Sequence, residues 1–235
     1  MDIDRKTYSL PSNQYVPAAV KKEQLVLHFT AGSTVQGAVQ GWINTPERVA
    51  TAYVVDRDGR VYETFSPDCW AYHLGVKGAL SPVVEKRSIG IEMVNVGPLK
   101  MDAARTKLCW WPRNWSETWC RAYESELYRD VVNEYRGFRY YAVFAAAQLI
   151  TVRTLCQVLC QRFEIPFAIA PEEKRSMFDP NFFVSFSGIA THANYRLDKE
   201  DVGPAFNWDA LIAGSDQGDG RDASAIQREG PQAEA

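Results

Sequence analysis

The sequence predicts an α/β fold, a mixed central β-sheet flanked by helices. Three observations lead there. Short apolar runs of strand length alternate with helical patterns along the chain. One pair of runs is joined by a tight turn, which makes that pair antiparallel while the alternation elsewhere implies parallel strands. Apolar residues make up 46% and charged residues 23% of the 235 residues, enough to bury a sizeable core in one large domain.

Taken in order, "EQLVLHFTAGST" carries an apolar run from Leu25 to Leu27, then His28, then turn-forming Thr-Ala-Gly-Ser, and reads as a buried strand ending in a loop. "TVQGAVQGWIN" reads as a short helix. In "TAYVVDRDGRVYETF", Val54-Val55 and Val61-Tyr62 are the arms of a hairpin and "DRDG" supplies the turn. "CWAYHLG" follows as a loop with Trp70 and His73. "RSIGIEMVNVG" reads as a strand with Ile89, Ile91 and Met93 on one face and Glu92 on the other.

Residues 100–120 hold four of the seven tryptophans, with Pro and Asn between them, and are expected to be an inserted, irregular segment. The insertion is placed at about 100–140. "YAVFAAAQLITVRTLCQVLCQRF" is the strongest helical pattern, with Phe144, Leu149, Val152, Leu155 and Leu159 near helical spacing. Pro166 breaks it. "NFFVSFSGIATH" reads as a last strand leading into His192. Residues 1–213 form the expected single domain. The tail, 214–235, is poor in apolar residues and expected to be disordered.

Net charge is −3, and no Lys/Arg cluster points to nucleic acid. The first twenty residues contain no apolar h-region, so no signal peptide is expected and synthesis in a cytoplasm is. No run is apolar enough to span a bilayer. A monomer is expected. The five cysteines, Cys69, Cys109, Cys120, Cys156 and Cys160, read as buried thiols. Without a Cys-x-x-Cys knuckle, a zinc site built from them is the weaker reading.

The chain has only three histidines, His28, His73 and His192. His28 and His192 fall at the ends of two strands, and Asp201 follows nine residues after His192. Two imidazoles and one carboxylate form a set that leaves the fourth position of zinc open for water, as catalytic zinc requires. The three are far apart in sequence, so spacing alone does not single them out. A His28/His73/His192 site with Asp201 behind it stays open.

Four blocks carry a resemblance. "LVLHFTAGS" resembles the opening motif of the zinc-dependent N-acetylmuramoyl-L-alanine amidases, which share a fold with the peptidoglycan recognition proteins. "ATAYVVDRDGRVYETFSPDCWAYHLGV" is similar to that family's hairpin and Trp-x-His-x-Gly-like loop. "RSIGIEMVN" resembles its Ser-Ile-Gly-Ile-Glu strand, and "THANYRLDKEDVGPAFNWDAL" its closing motif. The blocks appear in the family's order over residues 25–212. The resemblance implies that fold, and zinc held by His28, His192 and Asp201. It implies Glu92 and Lys199 as catalytic residues, and Trp70 and His73 on a loop lining the substrate cleft. It also implies peptidoglycan or muropeptides as substrate, cut between N-acetylmuramic acid and L-alanine, with a cell-wall lytic role favoured. The alternatives are a muropeptide-binding module without activity and a cytoplasmic recycling enzyme. The sequence departs from the family in a His-to-Asp spacing one residue short and in Val202 where Pro is common. Thr51 stands where some phage-type members have Tyr, and the Trp-rich stretch aligns with nothing.

Overall fold

A computed structural model describes residues 1–213. The expectation of a disordered tail at 214–235 lies outside the described residues. The central sheet has five strands in the order β10-β1-β4-β2-β3. They are β1 Gln24–Phe29, β2 Tyr53–Val55, β3 Val61–Glu63, β4 Ser88–Met93 and β10 Gly188–Thr191. β1 lies parallel to both β10 and β4, β2 is parallel to β4, and β3 returns antiparallel. The sheet is therefore mixed, as expected. Every residue of β1 and of β4 is buried. That is why β1 reads as an apolar run, whereas β4 alternates Ser88, Gly90 and Glu92 with Ile89, Ile91 and Met93.

Alternation nevertheless decides what each face carries. Leu25, Leu27, Ile89, Ile91 and Met93 point into the main core, where they meet Leu149, Val152, Leu155, Cys156 and Leu159 of the long helix Ala146–Phe163. Val26 and Ala190 point the other way, towards Leu74, Val84, Phe183 and Tyr195. Helix α1, Val35–Ile43, is started by Thr34, whose hydroxyl accepts the Gly37 amide at 3.0 Å. Helix α2, Ser81–Arg87, feeds directly into β4.

Three expectations are corrected. The stretch at 100–140 is not irregular. Residues 98–142 form a second five-stranded sheet, antiparallel at every pairing, in the order β7-β6-β5-β9-β8. Its strands are β5 Pro98–Met101, β6 Lys107–Trp110, β7 Glu117–Arg121, β8 Tyr128–Tyr135 and β9 Phe138–Ala142. Most are four or five residues long and the aromatic side chains build a small core of their own, with Leu99, Leu108 and Cys120 at its centre and Trp110, Trp119 and Tyr140 around it. The long helix starts at Ala146, because Tyr141 and Ala142 are held by β9. Only Gly188–Thr191 of the last expected strand is extended, since Asp179 caps a helical turn at Pro180–Phe183. The described cysteines are free thiols, and Cys109, Cys120, Cys156 and Cys160 are buried. No helix among the described residues is long and apolar enough to cross a membrane.

Candidate metal centre

The register of the central sheet lines the site up before any side chain is considered. His28 on β1 pairs with Glu92 on β4, and Leu27 pairs with Thr191 on β10, so His192 follows next to His28. His192, His28 and Glu92 therefore stand in a row across three neighbouring strands at their C-terminal ends, where open α/β sheets place their ligands. Asp201 returns on the loop after β10, whose backbone is tied back by the Ala193 amide on the Asp201 carbonyl at 3.0 Å.

Three atoms converge. His28 Nδ1 lies 3.1 Å from His192 Nδ1, His192 Nδ1 lies 3.0 Å from Asp201 Oδ2, and Asp201 Oδ2 lies 3.2 Å from His28 Nδ1. All three residues are buried, and among the described residues this is the group able to hold a metal ion. The edges of the triangle are a few tenths of an ångström shorter than the roughly 3.3–3.6 Å between ligand atoms that zinc bonds of about 2.0–2.2 Å set in a tetrahedral site.

The hydrogen bonds behind the triangle settle which ring nitrogens carry protons. The Leu74 carbonyl can only accept, so His192 Nε2, 2.8 Å away, is the N–H and Nδ1 is bare. The Ser88 hydroxyl donates to the Val84 carbonyl at 2.6 Å and so accepts from His73 Nε2 at 2.8 Å. His73 Nδ1 is then the acceptor for the His28 Nε2–H at 2.9 Å, which leaves His28 Nδ1 bare as well. Two unprotonated imidazole nitrogens and a carboxylate oxygen pointed at one another are three acceptors with no donor between them. A cation satisfies them, and the site fits zinc on this ground.

The electrostatics agree. Burial lowers His28 to about 4, helped by the neighbouring His192 and opposed by Asp201. Burial likewise holds His73 well below the usual imidazole range. For Asp201 burial works upward, but its close neighbours His192 and His28 outweigh it and hold the carboxyl far below its ordinary range. Glu92 is pushed up to about 8 by burial and by repulsion from Asp201, against the pull of Lys199. Lys199 is half-buried, and its charge is felt at both Glu92 and His28.

Of the residues singled out from sequence, the structure brings His28, His192, Asp201, Glu92 and Lys199 to one place. His73 and Trp70 fall on the loop between β3 and α2. Both are buried: His73 stands behind His28, and Trp70 packs edge-on to Tyr72 with the Lys86 ammonium 5.2 Å over its ring. The His-only triad is not formed either, because His73 meets His28 through Nε2, on the far side of the ring from Asp201.

Sequence reasoning missed the supports. Glu85 of α2 accepts the amides of His73 at 2.9 Å and Leu74 at 3.0 Å on one oxygen, and so fixes the loop that orients both histidines. Burial raises this carboxyl to about 7. Gly90 is required by the same loop, since a Cβ there would lie 3.0 Å from His73 Nδ1 and 2.8 Å from Thr51 Cγ2. The alternation Ser88, Gly90, Glu92 on the site face of β4 was the available signal.

The family profile described as N-acetylmuramoyl-L-alanine amidase matches residues 19–204. Among solved structures, AmiD from E. coli is 20% identical with a TM-score of 0.50; the match covers 90% of this chain and 64% of that one. Staphylococcus aureus AmiA is 14% identical, with 90% and 80% covered and a TM-score of 0.49. The catalytic domain of XlyA is 16% identical, with 91% and 99% covered and a TM-score of 0.49. The likeness to AmiD is one of fold. No curated protein matches the chain.

Proposed function

The chain belongs to the N-acetylmuramoyl-L-alanine amidase family, and from that premise we propose that it is a zinc-dependent hydrolase. It cuts the amide between the lactyl group of N-acetylmuramic acid and L-alanine. The observation that carries this reading is the buried triangle of His28 Nδ1, His192 Nδ1 and Asp201 Oδ2 with Glu92 beside it. The solved AmiD complex holds anhydro-N-acetylmuramic acid-L-Ala-D-γ-Glu-L-Lys, a molecule with the same linkage.

His28, His192 and Asp201 would hold the zinc. When bound, zinc supplies Lewis-acid polarisation of the scissile carbonyl and acidifies a water to a pKa of about 7. Glu92 takes the proton of the attacking water and returns it to the departing L-alanine amine. A carboxylate standing beside the metal ligands can do both. Lys199 offers a cation to the oxyanion that develops on the carbonyl oxygen. His73 and the Leu74 carbonyl hold the ligating rings in the tautomers the metal needs.

The substrate in this proposal is the intact wall, and the role lytic, because the segment carrying the second sheet brings the exposed Trp111 against the loop that follows His28. Incubation with purified sacculi, and separately with soluble muropeptides, tests this. Release of peptides beginning in L-alanine from sacculi is the expected result. Cleavage of soluble fragments alone would make it a recycling enzyme, and tight binding without release a recognition module.

A further inference from the structure

Between β6 and β7 the chain makes a tight turn in which Arg113, Asn114 and Trp115 all adopt left-handed backbone, with φ of 51°, 56° and 63°. Three such residues in succession, none of them glycine, are costly, and backbone of this kind gathers where a side chain has to be presented. What this turn presents is Trp111. Its side chain is exposed, at 53%, yet it is not loose. The indole Nε1–H donates to the Ala31 carbonyl at 2.5 Å. Ala31 lies in the loop that leaves β1, three residues beyond His28. Trp110 packs against Trp111 edge to face at 5.9 Å, and Trp115 packs on Phe138 at 5.2 Å.

The other side of the inserted sheet is seated on the opposite loop of the metal site. The Tyr135 hydroxyl donates to the Ser176 carbonyl at 3.5 Å, and the Tyr141 ring lies against Gly203, two residues after Asp201. The sheet thus touches both the loop following His28 and the loop carrying Asp201. Its exposed indole is tied to the loop that follows His28.

An exposed aromatic ring already pinned by a hydrogen bond loses little freedom when a ligand covers its face. The chemistry of the surroundings selects the ligand. A sugar ring offers an apolar face of C–H groups, suited to an indole, and a polar edge of hydroxyls. A peptide stem bearing carboxylates calls instead for free cations, and three of the cations on the inserted sheet are already engaged. Arg139 grips Asp130 with two bonds at 2.7 and 2.9 Å, Arg113 pairs with Glu117 at 3.4 Å, and the Lys100 ammonium lies 4.3 Å over the Trp115 ring.

We propose that Trp111, backed by Trp110, is a carbohydrate-stacking subsite that holds the glycan chain of the substrate beyond the sugar carrying the scissile amide. The proposal rests on the peptidoglycan reading above.

The test uses the full-length chain stripped of metal, titrated by calorimetry with peptide-free glycan strands of alternating N-acetylglucosamine and N-acetylmuramic acid. Saturable binding by the metal-free wild type is expected, weakened at least tenfold in Trp111→Ala. Trp111→Phe keeps an aromatic face without the Ala31 hydrogen bond, so it should bind between the two. An unchanged melting temperature in both variants separates a lost subsite from a lost fold. Strands that do not bind the wild type, or that bind Trp111→Ala equally well, overturn the proposal. So does binding of sugar-free peptide stems that depends on Trp111 when the strands do not bind. Peptide release from muropeptides is assayed separately. Its absence would sink the amidase reading while leaving the strand titration to decide the subsite.

Discussion

Glu92 and the metal ligands are expected to part company under mutation, because only the latter touch the metal. Glu92→Gln keeps the size of the side chain and its hydrogen bonding but cannot accept a proton. Turnover should fall about 10²–10⁴-fold, the usual worth of general acid–base catalysis, with one zinc per chain still measured by elemental analysis. His192→Ala should lose metal and activity together. Lys199→Ala should cost about 10²–10³-fold, with kcat falling more than KM rises, since an oxyanion exists only on the way to product. The raised pKa of Glu92 also has a consequence for stability in the metal-free protein. Below about 4.5 its carboxyl is protonated whether the chain is folded or not. Between 4.5 and about 8 the unfolded chain gives up the proton and the folded one keeps it, so stability falls as pH rises through this window and then levels off. Glu92→Gln removes that loss. Measured without metal, its melting temperature should draw above that of wild type from pH 5 to pH 8, by roughly 2–4 °C for every kcal/mol recovered in a chain of this size. The similarly raised Glu85 is common to both proteins and cancels. A gap that does not change with pH would show that Glu92 does not hold its proton in the folded state.

The strand β4 carries two programmes on its two faces. Ile89, Ile91 and Met93 fill the core, while Ser88 anchors His73, Gly90 leaves room for it and Glu92 faces the metal site. Substitutions on the two faces should therefore separate cleanly. Ile89→Val is expected to cost about 0.5–1.5 kcal/mol of stability and leave metal affinity unchanged. Ser88→Ala frees the His73 ring and should weaken zinc binding about 10–100-fold in competition with a chelator, the usual effect of losing a support behind a ligand. Equal zinc affinities in the two variants would mean that the His28 tautomer is held by something else. The alternation on β4 was legible in the sequence because a strand has period 2, and so were His28 and His192, which stand where apolar runs end. The support from Leu74 was not, because a backbone carbonyl leaves no trace in residue identity. Nor was the role of Glu85, which depends on a fold that brings α2 against the loop at 73–75. The second sheet escaped for a different reason. Strands of four or five residues with Trp, Pro and Asn at their turns offer too few repeats for a period to show, and β9 runs so close to the long helix that their patterns merge.

The site exists only when the molecule is folded. His28 and His192 are separated by 164 positions and meet because β1 and β10 pair, and Asp201 returns on a loop whose Asp201 carbonyl accepts the Ala193 amide just beyond β10. An unfolded chain cannot present these three atoms at 3.0–3.2 Å from one another, so zinc should bind the native state far better than the unfolded one. Binding of that kind is stabilising by mass action. At zinc a hundredfold above its dissociation constant the gain is about 2.7 kcal/mol. At the same 2–4 °C per kcal/mol, that is a rise in melting temperature of roughly 5–11 °C over the chelated protein. The effect should be absent in His192→Ala, whose ligand set is broken. It should persist in Ser88→Ala at a higher zinc concentration, because there the ligands remain and only their preorganisation is reduced. Magnesium, which prefers six oxygen ligands, should not reproduce it. Calorimetric scans of the three proteins across a zinc titration measure all of this at once. Coincident melting of chelated and zinc-loaded wild type would mean that the triangle does not take up zinc, and the hydrolytic mechanism would lose its metal.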